Sequence, residues 1–346
     1  MNSRYFIALV VIVVVLVPLS LMLLRVKSDS KVFSFFVATP RDAYLMRERI
    51  REVGPANAYA EFKAVQYSMP LTGMHFRAHA FGSALFKEIG TRGLLVCDDD
   101  ISAGCLHQLF AEIFTEYGGG SGADISAFCS NQENQRACIH GAGHAFAMDH
   151  PRTKDGLLAA LYECDRFKDW KERCEGGVFM EWNIENARHH DVAPVPGESS
   201  KAVEQCLSFK GSTRLVCMFW LPLVWVNRGI FTEEIEIRQS HIRENVEYAL
   251  QECVSPAFSD TDRAACVEGL GYQFILLSGG NFDTLRKWCS SLSEDKELFS
   301  RCLSSAAIRA KELKMKNAET ICISENQKVQ DGCFERQASM SRLIAL

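Results

Sequence analysis

Fourteen cysteines constrain the fold of this chain more than any other feature of its sequence, because they form a series of close pairs. The members of these pairs are separated by 8, 9, 10, 11, 13, 13 and 11 positions, and no Cys-x-x-Cys motif occurs. The sequence therefore lacks the signatures of zinc knuckles, thioredoxin-like redox sites and c-type haem attachment. An even number of regularly paired cysteines is typical of proteins that fold in an oxidising compartment. Sequence alone does not fix the pairing, but joining neighbours in order is the only scheme that repeats, and it predicts seven local disulfides: Cys97–Cys105, Cys129–Cys138, Cys164–Cys174, Cys206–Cys217, Cys253–Cys266, Cys289–Cys302 and Cys322–Cys333.

The second cysteines of the pairs recur at intervals of 31 to 49 residues, which is the length of a two-helix repeat unit. We predict that each first cysteine ends a helix A, that each second cysteine begins a helix B, and that the disulfide closes the turn between them. Glycines that follow the second cysteine would let helix B pack closely on its neighbour; they are Gly141, Gly176, Gly177, Gly269 and Gly271. The predicted fold class is all-α, a disulfide-stapled α-solenoid of helical hairpins with a Sel1/TPR-like architecture, behind one N-terminal transmembrane helix.

The N-terminus begins with an apolar segment, because Phe6–Leu24 is an uncharged run of 19 residues. At ~1.5 Å per residue such a helix just spans a ~30 Å hydrocarbon core. No small-x-small cleavage site follows it, so we expect an uncleaved signal anchor rather than a signal peptide. Since every cysteine lies beyond this segment, we expect a single-pass membrane protein with the bulk of the chain outside the cytoplasm, in a periplasm or the extracellular space. The predicted domains are a membrane anchor (1–31), a helical linker or cap (32–70) and a helical-repeat domain (71–346), which comprises a His-rich half (71–200) and a scaffold half (201–346).

The histidines follow the cysteine repeat. The segment His75-x-x-x-His79-Ala-Phe recurs as His140-x-x-x-His144-Ala-Phe, and Cys105-Leu-His107 recurs as Cys138-Ile-His140. His75, His107 and His140 are separated by 32 and 33 residues, so one histidine occupies the same place near the start of helix B in three successive repeats. Residues i and i+4 lie on one face of a helix, where two imidazoles can bind the same ion.

Glutamates accompany these histidines at a matching position. Glu112 follows His107 by five residues, and Glu181 follows Gly176, which takes the histidine place of the next repeat, by the same distance. We predict a transition-metal site with five candidate ligands and with Glu112 and Glu181 as a further ligand or a general base. Imidazole and carboxylate groups fit Zn, Fe, Mn or Cu, and the pattern does not choose among them. The candidate ligands are His75, His79, His107, His140 and His144, whereas His150, His189, His190 and His241 are out of register.

Two questions about these histidines stay open at the level of sequence. The histidines could be structural residues inherited from a repeat ancestor, although that reading does not explain why ligand-type residues stop after residue 190. Adjacent packed helices lie ~8–10 Å apart, and alternate helices nearly twice that distance. Two H-x-x-x-H pairs on alternate helices therefore share one ion only if the superhelix is tightly curved, and otherwise they form two sites that His107 could assist.

The chain resembles uncharacterised membrane-anchored Cys/His-rich helical-repeat proteins of bacteria and archaea. The resemblance lies in two motifs, Cys-x-His-Gly-x-Gly-His (138–144) and Cys-x-Gly-Gly-x-x-x-Glu (174–181). The resemblance covers residues 70–185 and implies no named activity. In architecture the chain looks like exported Sel1 or tetratricopeptide solenoids, although their consensus residues are absent. Helical-repeat deoxyhypusine hydroxylases offer a precedent for a metal site between repeats, but their paired His-Glu dipeptides are missing here.

Two functions of different classes follow from these patterns. One is a metal-dependent enzyme, an oxygenase or a hydrolase, that uses the His/Glu set. The alternative is a non-catalytic disulfide-stapled scaffold that binds a protein or peptide partner on its concave face. A net charge of −5 provides no basic surface for nucleic acid, so we expect no nucleic-acid partner.

Overall fold

The computed structural model describes residues 40–68, 71, 74–116, 122–188, 198–226, 239–324 and 326–339. The predicted anchor, Phe6–Leu24, lies outside the described residues. Among the helices that are described, none is both long enough and apolar enough to cross a bilayer.

Within this part of the chain all regular secondary structure is helical, as predicted. The α-helices are α1 (Pro40–Val53), α2 (Pro55–Ser68), α3 (Met74–Ile89), α4 (Gly104–Glu116), α5 (Gly122–Ser130), α6 (Gln135–Asp149), α7 (Lys154–Cys164), α8 (Lys171–Arg188), α9 (Glu198–Ser208), α10 (Gly211–Trp220), α11 (Pro222–Val226), α12 (Gln239–Cys253), α13 (Asp260–Leu277), α14 (Phe282–Ser290), α15 (Lys296–Glu312) and α16 (Gln327–Ser339). Three 3₁₀-helices add to them: Gly90–Leu95, Asp165–Trp170 and Ala318–Cys322.

All seven predicted disulfides are confirmed, and no cysteine is free. The Cα atoms of the bonded cysteines are 5.4 to 5.7 Å apart, within the usual range for this bond. Each bond closes a loop of about ten residues, which removes roughly 2.5–3 kcal/mol of entropy from the unfolded chain in the simplest model. The disulfides therefore hold each helical hairpin together independently of the core.

The prediction that the first cysteine ends helix A holds for later pairs also, since Cys253 ends α12. The prediction that the second cysteine begins helix B holds only for the first three pairs. Cys138 and Cys174 lie in the first turn of α6 and α8, as expected. By contrast, Cys266 lies two turns inside α13, because the helix begins upstream at a capping box formed by Ser259 and Asp262. Cys302 likewise lies two turns inside α15, where Asp295 caps the helix. The wider spacing of the later pairs accommodates this additional helical segment.

Helices of the B type pack against one another in chain order, α3, α4, α6, α8, α10, α13, α15 and α16. Their backbones approach so closely at glycine that a side chain would not fit. A Cβ atom on Gly141 would lie 2.5 Å from the carbonyl oxygen of His107, and one on Gly177 would lie 2.1 Å from that of His140. The same contact occurs at Gly269, where the distance to the carbonyl oxygen of Phe219 is 1.7 Å. The close packing predicted for these glycines is confirmed.

Helices early and late in this series also come together. Lys314, which follows α15, forms ion pairs with Asp99 and Asp100 in the turn between α3 and α4. Lys63 of α2 pairs with Asp100 at 2.8 Å, so lysines from two distant segments neutralise this turn. Helix α2 packs on α3 through the rings of Phe62 and Phe81, whose centroids are 4.7 Å apart. Arg309 of α15 consequently lies close enough to His75 of α3 for its charge to act on that histidine.

Candidate metal centre

Five histidines from three helices form one cluster in the interior. His75 and His79 come from α3, His107 from α4, and His140 and His144 from α6. Consecutive rings are in contact, with centroid distances of 4.9 Å for His75–His107, 5.0 Å for His107–His140 and 4.9 Å for His140–His144. Four of the rings are at most 2% exposed, and His79 is half-buried. The predicted ligand set is therefore brought together in full.

The two H-x-x-x-H pairs are closer than alternate helices of a straight row would allow. The rings of His79 and His144 are 5.1 Å apart, although α3 and α6 are separated by α4. Close packing of the helices at glycine contributes to this contact. Gly104 and Gly141 admit the neighbouring backbone, since added Cβ atoms would lie 3.1 Å from the carbonyl oxygen of His75 and 2.5 Å from that of His107.

Hydrogen bonds at Nδ1 determine the tautomers of the α3 pair. The Nδ1 atom of His75 lies 3.1 Å from the carbonyl oxygen of Ile101, which only accepts, so Nδ1 carries the proton. The Nδ1 atom of His79 lies 2.9 Å from Oε1 of Gln108, whose amide nitrogen donates to Glu112. His79 therefore also carries its proton on Nδ1. The Nε2 atoms of the two rings face each other at 3.1 Å, so a proton or a metal ion between them removes the repulsion of their lone pairs.

The α6 pair follows the same rule. Nδ1 of His140 donates to the carbonyl oxygen of Arg173 at 3.3 Å, and Nδ1 of His144 donates to Oε2 of Glu181 at 3.2 Å. Both Nε2 atoms are buried and have no hydrogen-bond partner within the described residues. A histidine that binds a metal almost always donates its other ring N–H to a carboxylate or carbonyl oxygen, which fixes the ring and increases its basicity. Four histidines here have that arrangement.

Burial favours the neutral form of His75, His107 and His140. Loss of solvent around His75 lowers its pKa well below the ordinary value, and the nearby charges of His79 and Arg309 lower it further. Burial also lowers the pKa of His107 and of His140, with an additional effect from the neighbouring histidines in each case. A neutral imidazole is the form that binds a metal ion.

The two candidate glutamates occupy different layers around the cluster. Glu181 contacts His144 directly on its Nδ1 side, and its other oxygen accepts from Arg152 at 3.3 Å. Burial raises the pKa of Glu181, but the hydrogen bond from His144 and the charges nearby outweigh this effect and lower the pKa to about 2. Glu112 is one residue further out, because Gln108 lies between it and His79. Glu181 is thus placed to orient the His144 ring directly at Nδ1, and Glu112 is placed to orient the His79 ring through Gln108.

Residues from the predicted scaffold half border the cluster on its other side, and the sequence pattern missed them. The Trp220 ring lies 6.1 Å from the His140 ring and 6.0 Å from the Tyr272 ring. The Tyr272 hydroxyl donates to Glu312 at 2.7 Å, and the guanidinium of Arg309 lies 4.3 Å from the centroid of the Tyr272 ring. Tyr272 and Arg309 are at most 2% exposed. Tyr272 follows Cys266 by six residues, as His144 follows Cys138, and Arg309 follows Cys302 by seven, as Glu181 follows Cys174. The register therefore extends to both residues, but a search confined to histidine and glutamate passes over them.

The ligand nitrogens fall into two sets of three. One set is His75, His79 and His107, and the other is His107, His140 and His144; within each set the nitrogens lie within 4.8 Å of one another. Two ligands of a tetrahedral ion with bonds of ~2.0–2.1 Å are roughly 3.3 Å apart, close to the 3.1 Å that separates the Nε2 atoms of the α3 pair. The geometry of these sets fits a transition-metal ion bound by neutral imidazoles.

Comparison with known proteins adds no further guide to the site. No protein-family model, curated protein or solved structure matches the chain.

Proposed function

We propose that this chain is a membrane-anchored, extracytoplasmic helical-repeat protein whose histidine cluster binds a transition metal. One observation supports the proposal above all others: four imidazoles donate from Nδ1 to oxygen acceptors, and the buried Nε2 atoms of His140 and His144 have no hydrogen-bond partner within the described residues. Histidines that only fill a core need not share one tautomer. Histidines that bind a metal through Nε2 usually donate Nδ1–H to an oxygen atom in this way.

The donor set narrows the choice of metal. All five ligands are imidazoles, and every cysteine is held in a disulfide. Imidazole suits Zn, Cu and Fe, whereas Mn prefers carboxylate and water ligands. Among the four metals admitted by the sequence, Zn, Cu and Fe are therefore favoured over Mn.

A reaction at this centre is part of the proposal. A three-histidine site leaves a coordination position for water or substrate, and a bound ion would lower the pKa of such a water or polarise a substrate oxygen. We propose a metal-dependent hydrolase or oxygenase on this basis. The alternative of a peptide-binding scaffold has less support, because four of the five histidines are buried and could not contact a peptide.

Loss of the carboxylate that orients His144 tests the metal site. We expect the purified full-length chain, held in detergent, to contain bound Zn, Cu or Fe by elemental analysis. Replacement of Glu181 by glutamine should weaken metal binding by roughly 10–100-fold, because the amide accepts the Nδ1–H hydrogen bond without the negative charge. The matched control is Glu163→Gln on α7, a carboxylate that pairs with Arg166. Equal affinities in the two variants, or a wild-type chain that binds none of these metals, would refute the proposal.

The position of the chain relative to the membrane is a separate proposal. Seven disulfides require oxidation, so residues 32–346 should lie outside the cytoplasm. A reporter that is fused after Leu346 and folds only in an oxidising compartment should be active. Activity confined to a reporter that requires the cytoplasm would contradict this topology.

A further inference from the structure

His107 departs from the hydrogen-bonding pattern of the other four histidines. Each of them uses Nδ1 to donate to an oxygen atom. The His107 ring is 0% exposed, and neither of its nitrogens has a hydrogen-bond partner within the described residues. If His107 bound one ion through one nitrogen, the other nitrogen would be left as a buried polar atom with no acceptor or donor. Such atoms are rare in folded proteins and call for an explanation.

The position of His107 supplies that explanation, because it is the residue common to both sets of three nitrogens. Its ring is 4.4 Å from the ring of His79, which belongs to the first set, and 5.0 Å from that of His140, which belongs to the second. The two ring nitrogens of an imidazole point in different directions. A ring in this central position can therefore present one nitrogen to each set.

We infer that the centre holds two metal ions and that the imidazole ring of His107 bridges them. This inference rests on the proposed function, since it assigns two ions to the same histidine cluster. His75, His79 and one nitrogen of His107 bind the first ion, and His140, His144 and the other nitrogen of His107 bind the second. The neutral ring carries a single N–H proton, and this proton is released to solvent when the second nitrogen binds, leaving an imidazolate between two cations.

Titration with Cu(II) tests the bridge directly. The full-length chain in detergent is stripped with a chelator, and Cu(II) is added while metal binding and the electron paramagnetic resonance signal are measured. We expect two equivalents per chain. The signal should grow with the first equivalent and fall with the second, because two Cu(II) spins joined by an imidazolate couple antiferromagnetically. A wild-type chain that binds two equivalents with an additive signal overturns the bridge.

Variants separate this inference from the proposed function. His107→Ala should remove the spin coupling, so that the signal of any Cu(II) that remains bound is additive. The matched control, His144→Ala, removes a ligand from one set only and should reduce the stoichiometry from two ions to one without coupling. Circular dichroism of each variant reports whether the fold is retained, and the wild-type titration stands without either variant. One tight equivalent in the wild type would overturn the two-ion centre and leave the proposed function intact, whereas no tight binding would refute both.

Discussion

Replacement of His79 and His144 together by alanine should abolish tight metal binding. The two residues come from different helices, and each belongs to a different set of three nitrogens. The double variant leaves only two imidazoles for any ion in either set, one of them the shared His107. An ion bound by only two imidazoles has too few protein donors for a tetrahedral site. Because the double variant removes one imidazole from each set, neither set can hold an ion tightly. Elemental analysis after equilibrium dialysis measures the result.

The matched control for this double variant is His150→Ala. His150 follows α6 six residues after His144, is half-buried and does not belong to the cluster. It should leave the metal content unchanged. Helical content should stay close to that of the wild type in both proteins, because the disulfides hold each hairpin together. If the double variant retained metal, or if the control lost metal equally, the result would indicate that the five histidines have a structural role.

Local regularities of the sequence predicted the disulfides and the ligand set. Each disulfide joins positions no more than 13 residues apart, so neighbour pairing is decided within one hairpin. The recurrence of His75, His107 and His140 at nearly equal intervals predicted one inner face, because residues in register on similar helices face the same side. These features depend on repetition, which a single sequence contains.

The contact between alternate helices could not be predicted from the same pattern. It depends on how the helices cross at each interface, which the shapes of the contacting side chains decide. The carbonyl of Ile101 and the side chain of Gln108 determine the tautomers of the α3 pair. Neither residue belongs to the repeated motif. Every residue has a backbone carbonyl, so the identity of residue 101 does not indicate that its carbonyl accepts a hydrogen bond. Arg309 and Tyr272 are brought near the cluster only because late helices approach early ones.

The same glycines that allow close packing of the B helices predict a large effect on stability. Gly177→Ala places a Cβ atom 2.1 Å from the carbonyl oxygen of His140 and 3.1 Å from the Cα atom of Gly143. Backbone atoms cannot move aside as a flexible side chain can, so α8 has to shift away from α6. Alanine gains ~1 kcal/mol over glycine in helix propensity, but overpacking of this kind costs roughly 1–3 kcal/mol and occasionally more. The clash involves backbone on both sides, so we expect a net loss of ~2 kcal/mol in the free energy of unfolding.

The adjacent residue provides a matched control for this loss. Gly176→Ala has the same gain in helix propensity, but its Cβ atom would first meet the side-chain nitrogen of Trp220 at 3.1 Å, which a small rotation of the indole can relieve. The expected result is a melting temperature about 4–8 °C lower in Gly177→Ala than in Gly176→Ala, measured by circular dichroism on metal-free protein with its disulfides intact. Because the displaced carbonyl belongs to His140, Gly177→Ala should also weaken metal binding, whereas Gly176→Ala should do so less. Equal melting temperatures in the two variants would show that close backbone contact at Gly177 does not hold α6 and α8 together.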